Sequence, residues 1–177
     1  TRLIDDLETN TVNLQAVDYY NRVIDTFLEN GIRPIFNLHH FDIPVELYHK
    51  YGGWESRHVV ELFIGFAEKC FQYFGDRVKE WVVHNEPMVV VDGEYLYQFH
   101  YPKLVDGKKA VQVAYHLNLA TAKTIQLYRE KGFDKEGGRI GIVLNLTPTY
   151  AASEEPEDQA AAHFAELWNN KMFLEPA

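Results

Sequence analysis

Segments with helical spacing of apolar residues alternate with short β-type runs along this chain, and no other feature narrows the fold as much. Between Asn13 and Asn30, Leu14, Val17, Ile24, Phe27 and Leu28 mark a first helix, with Gly31 placed for a left-handed C-terminal cap. The run from Ile35 to Leu38 reads as a strand that breaks into polar residues and closes at Pro44. After GGW at 52–54, Ser56 caps a long helix whose Val59, Phe63, Phe66, Cys70 and Phe74 form one apolar face, stopped by Gly75. A second strand, Trp81 to Val83, leads through a tyrosine-rich loop, GEYLYQFHYPKLVDGKK, to a helix carrying Val113, Leu117, Ala120, Thr124 and Leu127 and ended by Gly132. The third strand, IGIVLNL, leaves at Thr147 and Pro148, and Pro156 suits the first turn of a last helix. This order predicts an α/β fold with a parallel sheet, because parallel neighbours need a crossover and a helix supplies it.

Two parallel architectures compete, the open doubly wound sheet and the (β/α)8 barrel. Both collect function at the carboxyl ends of their strands. The glycine-rich phosphate turns that announce the first, GxGxxG or GxxxxGK, do not occur here. A barrel takes about 250 residues, so three strands make an incomplete one, and residues 1–177 read as a single partial catalytic domain. The start on TRLIDDL without methionine and the abrupt end at NNKMFLEPA fit that expectation of a piece of a longer chain.

Composition excludes several classes. Seventeen basic residues against 26 acidic ones give a charge of −9, and the basic residues are scattered, so nucleic acid is not an expected partner. No apolar run reaches about 18 residues and the first residues form no targeting segment, so no membrane is expected either. Cys70 is the one cysteine, and its place in an apolar helical pattern predicts inert packing in a reducing, cytoplasmic setting.

Polar residues gather where the strand-end rule puts function: His39, His40 and Asp42 after the first strand, His84, Asn85 and Glu86 after the second, Asn145 and Thr147 after the third. A histidine, an amide and a carboxylic acid converging on one pocket suit a sugar, since the amide fixes hydroxyls while a desolvated acid protonates a leaving oxygen.

The stretch VHNEP closely resembles the TFNEP acid/base motif of family 1 glycoside hydrolases, the β-glucosidases and 6-phospho-β-glycosidases, at the end of their fourth barrel strand. NLHHFDIPVELYHKYGGW resembles the third-strand segment TLYHWDLPxxLxxxxGGW of the same family, and GDRVKEW and YREKG also match its pattern. The resemblance spans nearly the whole chain. It implies a portion of a (β/α)8 TIM barrel, about strands 3 to 5 with flanking helices, and a retaining β-glycosidase without cofactor or metal. Residue by residue, it makes Glu86 the general acid/base, Asn85 the ligand of the substrate 2-hydroxyl and His40 a ligand of the neighbouring hydroxyl. His84 and Val83 depart from the usual phenylalanine and threonine, which changes the packing under the catalytic strand. Phe41, where many β-glucosidases carry tryptophan, and the segment GEYLYQFHYPKLVDGKKAVQVA lean toward the phospho-sugar branch.

A retaining enzyme needs a second carboxylate about 5 to 5.5 Å from the acid. The family carries it in an ENG-type motif on the seventh strand, so the chain is read as lacking both ENG and the C-terminal phosphate-binding loop, and as inactive and prone to self-association when alone. The alternative reading is a catalytically silent sugar-binding module that keeps His40, Asn85 and Glu86. An unrelated barrel enzyme of the same clan is a third.

Plainer roles compete at each position. His39 and His40 are adjacent on extended backbone and face opposite ways, so only one lines a pocket. His39, His84 and Glu86 suggest a metal site, but neither HExxH spacing nor a second cysteine supports it. His116 and His163 fall in helical patterns, Trp54 reads as a turn anchor, the tyrosines from 95 to 101 as a packed loop, and Glu86 itself as a carboxylate at a helix start.

Overall fold

The computed structural model describes residues 2–175, so the expected domain limits at Thr1 and Ala177 lie outside the described residues. A short antiparallel hairpin, β1 (Ile4–Asp6) and β2 (Thr11–Val12), precedes helix α1 (Leu14–Glu29). Strand β3 (Ile35–His39), helix α2 (Val45–Tyr51), a 3-10 turn (Gly53–Glu55), helix α3 (Arg57–Phe74), strand β4 (Glu80–Asn85), helices α4 (Pro87–Tyr95) and α5 (Gly107–Glu130), and strand β5 (Arg139–Val143) follow. Helix α6 (Pro156–Glu166) passes through a π turn (Leu167–Lys171) into a short α7 (Met172–Leu174). The three main strands form one parallel sheet in the order β3-β4-β5, which does not close into a barrel.

Cap chemistry sets the helix starts. Asn13 Oδ1 accepts from the Ala16 amide at the head of α1, the Ser56 hydroxyl from the His58 amide at α3, and the Asp106 carboxylate from the Lys108 and Lys109 amides at α5. Asp106→Ala is expected to lower stability by about 1 kcal/mol, since two amides lose their acceptor. A shift in the urea midpoint at unchanged slope is the check.

Beneath the carboxyl ends of the strands lies a core of Trp54, Val59, Leu62, Val90, Tyr95 and Leu117. Nearer the amino ends a second is built on Ile24, Cys70, Phe71, Phe74, Trp81 and Tyr128. Burial pushes the Cys70 thiol well above its usual range, leaving little nucleophilic thiolate. Among the described residues no helix is long and apolar enough to cross a membrane.

Several elements differ from the sequence reading. Helix α4 begins inside a stretch that carries no apolar periodicity, because Pro87, Val90, Val91, Glu94 and Tyr95 are buried around the helix rather than along one stripe. The tyrosine-rich loop is accordingly shorter than expected, its first three residues ending α4 and its last three opening α5. On α3 the burial is wider than one stripe: Val60, Leu62, Ala67 and Phe71 are buried while Phe63 and Phe66 are half-exposed. Strand β5 stops at Val143 instead of Leu146, and the chain beyond is held by Asn170, whose side chain accepts from the Thr147 amide and donates to its carbonyl.

Candidate active site

The site is assembled where β3 and β4 end side by side. His39 faces His84 on the same rung of their parallel ladder, so the residues that follow, His40 and Asn85, also come together. Asn85 Nδ2 lies 3.3 Å from His40 Nε2. His40 is exposed and Asn85 half-buried, while His39 is buried, so the opposite facing expected of the two neighbours is observed.

Glu86 comes next and turns sharply, with φ +43° in the left-handed region. A non-glycine residue there costs on the order of 1–3 kcal/mol, and such outliers cluster at functional sites. Its amide donates to the Val143 carbonyl at 2.8 Å, pinning the turn to β5. Glu86 occupies the N-cap position of α4, and its side chain makes no capping hydrogen bond there.

A β-bulge prepares this geometry. Three steps along β4, from Val82 to Asn85, match two along β5, from Gly141 to Val143. The extra residue breaks alternation, and consecutive Val83 and His84 are both fully buried. The polar side chains of Asn85 and Glu86 then emerge past the end of an apolar strand.

Behind the site, His84 Nδ1 lies 3.0 Å from His39 Nδ1. His84 stacks on Phe63 at 5.1 Å between centroids, and Trp54 meets both imidazoles edge-on. Burial holds His39 down at about 4, with Asp42 opposing and His40 adding to the fall. Burial and then His39 keep His84 well below the ordinary histidine range, against a weaker opposing pull from the Leu117 backbone. Among the described residues no group of three or more His, Cys, Asp or Glu side chains is placed to hold a metal ion.

Beside His40 and Phe41 opens a cleft of about 420 Å³ lined also by Tyr48, Phe99, His100 and Tyr101. Phe41 itself has φ +69°. The Tyr48 hydroxyl donates to Glu94, which is 1% exposed, and burial pushes that carboxyl up to about 8 against the lowering effect of this bond. Sequence reasoning passed over Glu94. Its signal was an acid inside the apolar run MVVVDGEYLY, which a buried helix explains and a loop does not.

One expectation is corrected outright. Glu29, Asn30 and Gly31 do spell ENG, but they close helix α1, with Asn30 as its C-cap. That end precedes β3, whose opposite end carries His40. With about 3.3 Å per strand residue in between, Glu29 does not serve this site. Trp54 is buried in the 3-10 turn and His116 Nδ1 donates to the Trp54 carbonyl at 2.7 Å, so both are packing residues. Asn145 is exposed, as is His163.

A parallel three-stranded sheet that carries an amide, an imidazole and a strained carboxylic acid at the ends of adjacent strands defines part of an α/β-barrel protein with a polar strand-end pocket. The model of Glycosyl hydrolase family 1 matches residues 1–177, and the chain belongs to that family. It is 50% identical over 169 residues to the 6-phospho-beta-glucosidase GmuD of Bacillus subtilis, covering 96% of this chain and 36% of that protein. Beta-glucosidase 26 of Oryza sativa subsp. japonica is 41% identical over 176 residues, covering 95% and 34%. In structure, the chain is similar to the rice Os3BGlu6 β-glucosidase with a TM-score of 0.88 at 32% identity, covering 96% of this chain and 38% of that one. The β-glucosidase of Thermotoga maritima in complex with deoxynojirimycin gives a TM-score of 0.84 at 39% identity, covering 93% and 36%. The chain thus spans about a third of the length of these relatives, and its sheet is a portion of their barrel.

Proposed function

We propose that the protein carrying this chain is a retaining β-glycosidase acting on β-glucosides or their 6-phosphates, and that this segment supplies the acid/base side of its site. The observation that carries the reading is the junction of His40, Asn85 and the left-handed Glu86 at two neighbouring strand ends. Glu86 protonates the glycosidic oxygen as the bond to the anomeric carbon breaks. A second carboxylate, from a segment outside this chain, attacks that carbon from the other face to form a glycosyl-enzyme. Glu86, now ionised, takes a proton from water as the water displaces the carboxylate, which restores both groups. Asn85 binds the 2-hydroxyl, and His40 the hydroxyl beside it. No cofactor or metal enters these steps.

Identity to a protein named as a 6-phospho-β-glucosidase, together with Phe41, supports the phosphorylated branch. The test is hydrolysis of a nitrophenyl β-glucoside against its 6-phosphate by the complete protein and by its Glu86→Gln variant. Binding of either sugar without turnover by the wild type would favour the silent sugar-binding module.

The same reading leaves the isolated 177-residue chain without a nucleophile and with two open sheet edges, β3 and β5, where Ile35 and Val143 are 62% and 41% exposed. Alone, it is expected to be inactive and to self-associate, giving a mass by light scattering that rises with concentration. A compact, rigid monomer would contradict this. A reducing, cytoplasmic setting belongs to the same proposal and is supported by the buried thiol of Cys70.

A further inference from the structure

The two buried histidines behind the site have no part in the steps above, yet their geometry is restrictive. Two nitrogens 3.0 Å apart at Nδ1 form a hydrogen bond only if one carries the proton and the other presents its lone pair. His39 and His84 are therefore neutral and of opposite tautomer. Either proton gained at the shared position would set two N–H groups head to head.

The pair occupies the last rung of the β3–β4 ladder. Immediately beyond it β3 turns at Phe41 and β4 at Glu86, both with positive φ, and on the other side the pairing of β4 with β5 is already irregular. The hydrogen bond between the imidazoles is thus a cross-strand tie directly behind His40 and Asn85. Phe63 from α3 and Trp54 from the 3-10 turn hold the two rings in place. The charged groups felt by His39 are Asp42 and His40, and His84 feels His39 and the Leu117 backbone of α5. Phenylalanine, which the family pattern has in place of His84, fills the same space but makes no such bond.

We infer that His39 and His84 are positioning residues: their Nδ1–Nδ1 hydrogen bond sets the spacing of the β3 and β4 ends and so holds His40 and Asn85 at the separation that grips the glycone. This rests on the glycosidase reading above.

The test uses the complete protein with two replacements at one position. His84→Phe keeps the ring stacked on Phe63 and removes the bond. His84→Asn places an amide nitrogen or oxygen near the Nδ1 position and keeps it. The expected result is a KM raised roughly tenfold in His84→Phe, as for a lost polar tie, with kcat changed much less and with KM largely restored in His84→Asn. Nitrogen NMR of histidine-labelled wild type at pH 7 gives a second readout that does not depend on any variant folding: one of the two rings protonated at Nδ1, the other at Nε2. Two Nε2-protonated rings would overturn the inference, as would an unchanged KM in a folded His84→Phe protein. Failure of the underlying reading looks different, because Glu86→Gln would then hydrolyse substrate as fast as wild type.

Discussion

Replacing Glu86 with glutamine in the complete protein is expected to slow hydrolysis of an unactivated β-glycoside by about a thousandfold, within the range of roughly 10² to 10⁴ that general acid–base catalysis supplies. Glutamine preserves the size of the side chain at the φ +43° turn and the hydrogen bond that the backbone N–H of residue 86 donates to the Val143 carbonyl, so the fold is retained. What is lost is the proton for the departing oxygen. A nitrophenolate leaves without that proton, so glycosyl-enzyme formation from a nitrophenyl substrate is largely spared, while release by water, which needs the ionised carboxylate as base, remains slow. A burst of nitrophenol followed by slow turnover is the signature to look for. Equal rates for wild type and variant on a natural disaccharide would remove Glu86 from the mechanism.

The second large effect is on stability and lies at Glu94. This carboxyl has its folded pKa raised from 4.5 to about 8, mainly by burial. Between those values the folded protein holds a proton that the unfolded chain has given up. The associated stability is fully present below pH 4.5 and is lost as pH rises through about 8. At about 1.4 kcal/mol for each tenfold change in proton activity, the loss over this range is on the order of 5 kcal/mol.

Glutamine at position 94 stays neutral and still accepts the hydroxyl proton of Tyr48, a group whose own ionisation burial pushes up and out of reach. The Glu94→Gln variant is therefore expected to be clearly more stable than wild type at pH 8.5 and little different at pH 5. Urea midpoints at the two pH values measure it, and parallel curves would disprove the assignment. His39 acts in the opposite sense. Its folded pKa is lowered from 6.5 to about 4, so its contribution is present above pH 6.5 and lost as pH falls through about 4. Together the two groups confine the best stability to the mildly acidic to neutral range.

Periodicity and caps in the sequence were enough for the three parallel strands and for helices α1, α3 and α5, because each of these helices buries apolar residues at helical spacing and begins at a side chain that accepts a backbone amide, while α6 was marked by Pro156 in its first turn. Helix α4 was hidden for the converse reason, since a helix buried on most sides has no polar stripe to betray it. The identities of His40, Asn85 and Glu86 were legible as polar residues at strand ends, and the expected opposition of His39 to His40 followed from extended backbone alone. Their meeting was not.

Sequence by itself determined the α/β class, the family pattern and the residue types at the strand ends, because these depend on local spacing and composition. Only the tertiary structure decided that β4 bulges against β5, that His84 is buried against His39 instead of lining the pocket, and that Glu94 is enclosed beside Tyr48. Those outcomes depend on register between strands and on which side chains from distant elements close over a group. Neither is encoded in the periodicity of any single segment.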